Sequence, residues 1–295
     1  MSQTPPEFPP DFPPELIAQL TEPLFMVSFD ELTSEADRDP LVIPDSECFG
    51  CSPVRGARAQ QSMGGGSQGV WTATKFSPPA ALEPFDVFGL RHFKYLTGLS
   101  ERFVIRRQHV PALGSPRTIA IFTDGACSDN GAGVGGNIST NEPRGGFAFV
   151  YRGSERGTVG FALEKQGPTG DTYRATSNRA ELRAAIAALK FRHWPGEGWD
   201  RLVLITDSQY VCRHATEWLR KWAARGWCTS SGAPVKNQDL WKELSDTMGV
   251  LAKGGCEVSF WAVPRTCNTT ADRAAKEAAT LEPSEEFVKI QSVVC

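Results

Sequence analysis

The sequence lacks any hydrophobic run long enough to cross a membrane. No apolar segment approaches the roughly 20 residues that a spanning helix needs, and the amino terminus lacks the charged and then apolar layout of a signal peptide. The eight cysteines show no regular spacing that would indicate a disulfide framework. Together these absences predict a soluble intracellular protein with reduced thiols and no membrane contact. We expect it in the nucleus or the cytoplasm, as a monomer.

Basic residues are nearly absent from the first fifty positions, where Arg38 stands alone among many acids. The net charge of -3 neither favours nor excludes a nucleic-acid partner, because the location of the positive charge decides that question. Positive charge is concentrated between 213 and 242, which holds Arg213, Arg220, Lys221, Arg225, Lys236 and Lys242. This basic patch is either a nucleic-acid contact or an ordinary solvated face.

Composition divides the chain into four parts. Residues 1–14 contain six prolines and predict a disordered tail. Residues 15–103 form an amino-terminal extension whose role the sequence does not indicate. It includes a flexible connector rich in glycine, serine and glutamine at 52–69. The main domain is expected at 104–282, and 283–295 is a carboxyl-terminal tail.

Within the main domain, a short apolar run predicts a buried strand at about 119–123, and apolar alternation predicts two more at 146–151 and 158–163. Tight turns should join the three as an antiparallel meander. Helical spacing follows at 178–190, where Ser177 is the predicted cap, and then at 208–224, 237–252 and 271–281. Two further strands are expected at 202–206 and 258–263. The fold class is therefore α/β, a five-stranded mixed sheet flanked by helices.

Four acids stand at the ends of these elements. Asp124 and Asp207 each follow a buried strand, whereas Glu181 and Asp272 lie near the starts of two helices. An aspartate before a glycine is often an ordinary turn, and acids in a first helical turn also favour the helix dipole. Because no salt-bridge pattern surrounds them, the four acids predict a divalent-cation site.

A glycine-rich segment at 130–136 superficially resembles a phosphate-binding loop. The segment has no lysine of the kind that such loops use, and it leads toward a strand instead of a helix. We therefore exclude a nucleotide-binding loop here.

Six blocks in one order give the sequence a family resemblance over about residues 117–281. The chain resembles type 1 ribonuclease H in the segments TDGAC at 123–127, TSNRAEL at 176–182, TDSQYV at 206–211, WLRKWAARGW at 218–227, PVKNQDLW at 234–241 and NTTAD at 268–272. The resemblance implies a ribonuclease H-like fold. It also implies an endonuclease that hydrolyses the RNA strand of RNA/DNA hybrids to 5′-phosphate and 3′-hydroxyl products. Asp124, Glu181, Asp207 and Asp272 would hold two Mg²⁺ ions, with Mn²⁺ as a substitute.

The resemblance also implies a set of nucleic-acid contacts. Asn130, Ser177 and Asn178 correspond to groups that approach ribose 2′-hydroxyls, which distinguish RNA from DNA. A pocket for a DNA-strand phosphate is expected from Arg174, Thr176 and Asn237. Tyr210 and Trp222 would line the channel for DNA sugars, with Gln209 beside them and with Arg213, Arg220, Lys221 and Arg225 on a basic protrusion.

The sequence departs from the family in the loop before Asp272. The family usually has a histidine in this loop, whereas this chain has a shorter loop in which Arg265 is the candidate auxiliary group and Thr269 replaces a glutamate. This departure keeps open an inactive or catalytically weak module that binds hybrids or double-stranded RNA. Two other readings fit less well, since an exonuclease of this fold would want an acid at Ala126 and an integrase would prefer glutamate at Asp272.

Overall fold

The computed structural model describes residues 69–78, 82–84, 87, 102–105, 117–128, 142–153 and 157–290. The predicted tail at 1–14, nearly all of the connector at 52–69, residue Asn130 and the last five residues lie outside these ranges. Within the described part of the chain, no helix is long and apolar enough to span a bilayer.

The predicted mixed sheet is confirmed, with all five expected strands and two short additional ones. The strands are β1 (Thr74–Lys75), β2 (Phe103–Val104), β3 (Thr118–Cys127), β4 (Gly145–Val150), β5 (Thr158–Ala162), β6 (Arg201–Thr206) and β7 (Glu257–Ala262). Their order is β1-β7-β6-β3-β4-β5, and β2 pairs with β3 beside the main path. Strands β3, β4 and β5 are antiparallel, whereas β6 and β7 run parallel to β3 and to each other. Strand β1 lies in the predicted amino-terminal extension, whereas β2 lies across the predicted boundary between the extension and the main domain.

Three helices lie close to their predicted positions: α1 (Ser177–Lys190), α4 (Gln238–Lys253) and α5 (Thr269–Ala278). The predicted cap of α1 is wrong by one residue. Thr176 is the extended residue before the helix, and its hydroxyl accepts a hydrogen bond from the backbone N–H of Arg179 at 3.3 Å. Because α1 begins at Ser177, Glu181 lies beyond the first turn, so the dipole alternative does not apply to it.

The single helix predicted at 208–224 is interrupted. Helix α2 (Gln209–Arg213) leads into a π-helical turn (His214–Trp218), after which α3 (Leu219–Ala224) resumes the ordinary α geometry. A wide turn of this kind is rare and is often found at functional sites. Helical periodicity alone did not reveal it.

Alternate residues of the central strands point to opposite faces of the sheet, and apolar residues are buried on both faces. On one face, Ile119 and Ile121 of β3 belong to a core that includes α1 and α4. On the other face, Ala120 and Phe122 pack with α5 and with Phe76, Val87 and Phe103 of the extension, together with Ile105 just after it. The described parts of the extension are therefore packed into the same core as the sheet. The predicted domain bounds themselves remain a prediction.

Two buried ion pairs tie the helices to their surroundings. Arg183 on α1 contacts Glu164 at 2.6 Å with both side chains almost fully buried, and it also donates to the backbone oxygen of Val288. Arg179 contacts Asp239 of α4 at 2.7 Å. Because a lone charge in either place would be costly, these pairs specify how the tail and α4 dock on α1.

Candidate active site

The site begins where β3 passes α1 at very short range. A Cβ atom added to Gly125 would lie 2.1 Å from the backbone nitrogen of Glu181 and 2.3 Å from the carbonyl carbon of Ala180. Only glycine permits this approach, which brings Asp124 of the strand next to Glu181 of the helix. The backbone N–H of Gly125 also donates to Asp124 Oδ1 at 2.8 Å.

Asp207 reaches the same place from the neighbouring strand. Strand β6 is parallel to β3, and their register pairs Phe122 with Ile205. Asp207, the residue that follows β6, is therefore level with Asp124, which lies within β3 and not after it as predicted. The side-chain amide of Asn268 donates both to Asp207 Oδ1 and to the backbone oxygen of Thr123, each at 3.0 Å. Asn268 is almost fully buried, and its two hydrogen bonds hold the Asp207 carboxylate beside the middle of β3.

Asn268 was missed as a functional residue in the sequence analysis. It lies inside the matching block that ends at Asp272, so its position was noted without a role. Its amide acts through contacts with Thr123 and Asp207, which are far from it in the sequence, and the only available signal was an asparagine within the block that carries the last acid.

Asp124, Glu181 and Asp207 form one cluster, in which an oxygen from each carboxylate lies within 4.8 Å of the others. Burial raises the pKa of Asp124 to about 6, with the charge of Asp207 adding to the effect. Burial, followed by the charge of Asp124, raises the pKa of Glu181 well above its usual value. Like charges in a desolvated place repel one another, so the ionised cluster is unfavourable by itself.

Two buried oxygens in this cluster lack a hydrogen-bond partner within the described residues. They are Glu181 Oε2 and Asn268 Oδ1. Buried oxygens without donors are uncommon in folded proteins and point to a missing ligand. A hard divalent cation such as Mg²⁺ prefers oxygen ligands of this kind, so the donor set fits such an ion.

Asp272, the fourth predicted ligand, lies beside the cluster and is paired with two cations. It accepts hydrogen bonds from Arg265 and from Lys276, the latter at 2.7 Å. Burial alone would raise the pKa of Asp272, but the bonds from Lys276 and Arg265 lower it. Arg265 also lies 3.9 Å from Asp207, so its guanidinium bridges the two acids. The structure thus gathers three of the four acids and pairs the fourth with basic side chains.

A cleft of about 390 Å³ opens over these residues. Besides three of the acids and Arg265, its lining includes Ser177 at the start of α1 and Lys276 of α5. Ser177 therefore faces the same space as the carboxylates, whereas Asn178 is exposed next to it.

The residues expected to bind a DNA-strand phosphate lie around the start of α1 and the start of α4. Arg174 is exposed and lines a second, wider cleft with Tyr173. Asn237 has a left-handed backbone, with a φ of 57°. Its side chain donates to the hydroxyl of Tyr210 at 3.3 Å and accepts from Arg179 at 3.4 Å.

Tyr210 and Trp222 belong to an aromatic group centred on His214. The ring centroids of Tyr210 and Trp222 lie 4.5 Å and 5.0 Å from that of His214, and both rings also pack on Trp241. Trp222 is only 7% exposed, so most of its ring belongs to the core. Burial lowers the pKa of His214 and favours its neutral form.

The predicted basic protrusion corresponds to α2, the π-helical turn and α3. Gln209, Arg213, Arg220, Lys221 and Arg225 are all exposed there. Lys221 lies 4.5 Å from the ring centroid of Trp218, a cation–π contact that orients its ammonium group. Four of the six residues of the basic patch are therefore on one solvent-facing helical segment, whereas Lys236 precedes α4 and Lys242 lies on it.

A mixed sheet whose two central strands bring acids together with an acid of the adjacent helix defines a nuclease of the ribonuclease H-like fold. The sequence model of the RNase H family matches residues 116–280, which is more than half of the chain. The chain belongs to the RNase H family, and its enzyme class is ribonuclease H. The matched range lies within the predicted domain at 104–282.

Known relatives show how far the similarity extends. The ribonuclease H of Pseudomonas aeruginosa strain LESB58 is 45% identical over 131 residues, which cover 43% of this chain and 71% of the relative. The ribonuclease H of Shewanella halifaxensis strain HAW-EB4 is 34% identical over 171 residues, covering 58% of this chain and 91% of the relative. Among solved structures, RNase H1 of the archaeon Halobacterium salinarum NRC-1 is 27% identical, with a TM-score of 0.33, and the match covers 55% of this chain and 96% of that one.

Proposed function

We propose that this chain is an endonuclease that hydrolyses the RNA strand of RNA/DNA hybrids, leaving 5′-phosphate and 3′-hydroxyl ends. The observation that carries the proposal is the cluster of Asp124, Glu181 and Asp207, whose carboxylate oxygens lie within 4.8 Å of one another. Membership of the RNase H family supports the same reaction.

The proposed cofactor is a pair of Mg²⁺ ions, for which Mn²⁺ can substitute. Asp124, Glu181 and Asp207 would hold metal directly, and Asp272 would join them when Arg265 and Lys276 release it. When bound, the ions supply an activated water and the positive charge that a phosphodiester needs for in-line displacement. The unpartnered Glu181 Oε2 supports this assignment, because metal binding would satisfy it.

Protein groups around the cluster prepare it for this chemistry. Asn268 fixes the orientation of Asp207, as outer hydrogen bonds do for many metal ligands. Arg265 is two-thirds exposed and borders the cleft, so it can turn from Asp272 toward the departing phosphate. In this proposal it takes the place of the histidine that the family usually has in this loop.

Strand selection is proposed for the residues around the start of α1. Ser177 faces the cleft, and with Asn178 and Asn130 it would contact ribose 2′-hydroxyls of the RNA strand. Arg174, Thr176 and Asn237 would bind a phosphate of the DNA strand. The exposed cations of α2 and α3 would bind the duplex backbone without reading its sequence.

Cleavage of an end-labelled RNA/DNA hybrid with Mg²⁺ tests the proposal, with double-stranded RNA and double-stranded DNA in parallel. Wild type should cut only the RNA strand of the hybrid, and analysis of the ends should find 5′-phosphates. Asp124→Asn should bind the hybrid and leave it intact. If wild type also binds the hybrid without any metal-dependent cleavage, the non-catalytic alternative is correct; the pairing of Asp272 with Arg265 and Lys276 is the observation that favours it.

A further inference from the structure

Residues 69–78 of the extension, here called the strap, cross the edge of the sheet and contact three elements in turn. The backbone N–H of Trp71 donates to Ser245 Oγ of α4 at 2.9 Å, and that hydroxyl donates back to the Trp71 oxygen at 3.0 Å. The N–H of Ala73 donates to the backbone oxygen of Ala215 at 3.3 Å. After Ala73, the strap forms β1, which pairs with β7 at the edge of the sheet.

The contact at Ala215 replaces a hydrogen bond that the π-helical turn removes. The N–H of Leu219 donates to the oxygen of His214, five residues earlier. In an α-helix the same N–H would donate to Ala215, four residues earlier. Ala215 is fully buried, so water cannot replace the lost donor, and an unpaired buried carbonyl is unfavourable. The N–H of Ala73 supplies the missing donor.

The register of this turn determines where the downstream side chains point. Tyr210 lies before the turn and Trp222 after it, yet both pack on His214 and Trp241. Each residue advances an α-helix by about 100°, so a change of one residue in register would move α3 away from this arrangement. Lys221 and Arg225, which lie on the proposed duplex-binding surface, would turn with it.

We propose that the strap is a positioning element for substrate binding, which stabilises the π-helical turn and thereby orients the basic face of α3. The proposal rests on the proposed function and adds a role for the extension. The acidic cluster is formed by residues of β3 and α1 and by the residue after β6, and the strap makes none of the contacts described for it. The strap should therefore affect hybrid binding and leave the metal site unchanged.

Ala73→Pro tests this directly, because proline has no N–H to donate to Ala215. Ala73→Gly is the matched variant, since it keeps the donor. In Ala73→Pro the KM for the hybrid should rise about three- to tenfold, the range that one hydrogen bond can contribute. Its kcat and its dependence on Mg²⁺ should stay at the wild-type values, and Ala73→Gly should keep the wild-type KM.

A second variant displaces the strap from the opposite side. A Cβ atom at Gly249 would lie 2.4 Å from Trp71 Cδ1, so Gly249→Ala should push the tryptophan away and raise the KM as Ala73→Pro does. Val250→Ala on the same helix is the control, because Val250 is 69% exposed. An unchanged KM in both Ala73→Pro and Gly249→Ala would overturn the proposal.

Hydrogen exchange of the backbone amides separates this proposal from the proposed function. Ala73→Pro should speed exchange at 215–222 and leave α1 unchanged, whether or not the protein cuts hybrids. Equal acceleration throughout the domain would show that the strap only stabilises the fold, and the positioning role would be wrong. Absence of hybrid cleavage by wild type would instead disprove the proposed function, while the exchange result would still decide how the strap acts on the turn.

Discussion

The side-chain amide of Asn268 lies 3.0 Å from Asp207 Oδ1 and donates a hydrogen bond to it. The same amide donates to the backbone at Thr123, one residue before Asp124. One buried side chain therefore connects β3, which carries Asp124, to Asp207 at the end of β6. The distance between those acids depends on a residue that is not itself acidic.

Replacing Asn268 with aspartate should strongly impair the site. The change removes the donor and adds a negative charge beside Asp207, whereas Asn268→Ala removes the donor only. Loss of such an outer partner typically costs about 10- to 100-fold in metal affinity or activity. Titration of cleavage rate against Mg²⁺ should show that range for alanine and a larger loss for aspartate. Equal rates for wild type and both variants would contradict the positioning role.

Stability of the metal-free protein should fall as the pH rises toward neutrality, because Asp124 has a pKa of about 6 when folded. An unfolded aspartate has a pKa of about 3.9, so between these values the folded chain holds the proton more tightly. The contribution of Asp124 to the free energy of unfolding is fully present below about pH 3.9 and is lost as the pH passes 6. The difference of about two between the folded and unfolded pKa values corresponds to about 3 kcal/mol at most.

Urea unfolding with a chelator measures this dependence. Asp124→Asn should be more stable than wild type at pH 7, and the difference between them should shrink toward pH 4. Addition of Mg²⁺ at pH 7 should stabilise wild type and leave the asparagine variant nearly unaffected. A difference that does not vary with pH would argue against a raised pKa at Asp124.

Arg265→Ala should separate metal binding from turnover. Removing the guanidinium leaves Asp272 with Lys276 as its described cationic partner and takes a positive charge from beside Asp207, so Mg²⁺ affinity without substrate should rise. The cleavage rate should fall, because the group proposed to contact the departing phosphate is gone. Calorimetric titration with Mg²⁺ measures the metal affinity, and single-turnover cleavage measures the rate.

Arg273→Ala is the matched control for that experiment. Like Arg265→Ala it removes one positive charge, but from the residue that follows Asp272 on α5. Arg273 is three-quarters exposed, and its ion pair with Glu277 is long, at 4.0 Å. Neither metal affinity nor rate should change in this variant. Weaker Mg²⁺ binding in Arg265→Ala would show that the arginine supports the metal site instead of competing with the metal.

Arg174→Ala should weaken hybrid binding and reduce its dependence on salt. If Arg174 contacts one phosphate, the slope of log affinity against log salt should decrease by about one. Metal affinity should be unchanged, because Arg174 lines the wider cleft and not the acidic one. Anisotropy of a labelled hybrid at several salt concentrations tests this, and an unchanged slope would remove Arg174 from the phosphate pocket.

Much of the fold could be predicted because its signals are local. The short apolar run that contains Ile119, Ile121 and Phe122, and the helical spacing at 182–189, depend only on neighbouring positions. The position of Asp207 directly after a strand was readable for the same reason, whereas Asp124 lies within β3 and not after it. Their chemical role came from the family resemblance.

The features that escaped prediction depend on contacts between distant residues. The π-helical turn in the predicted helix 208–224 is satisfied by the N–H of Ala73, about 140 residues earlier in the chain. The pairing of Asp272 with Arg265 and Lys276 depends on how a loop folds back on α5. Thr176 and Ser177 carry equivalent hydroxyls, so only backbone geometry decides which one caps α1.

The face of the sheet that carries Phe122 has a consequence for the design of truncated fragments. Phe76, Val87, Phe103 and Ile105 cover Phe122 and its neighbours, yet all four precede residue 116, where similarity to the family begins. A fragment that begins at residue 116 would expose this apolar face of the sheet to solvent and would tend to aggregate. We therefore expect a fragment that stays in solution to begin before residue 76, well ahead of the range that matches the family.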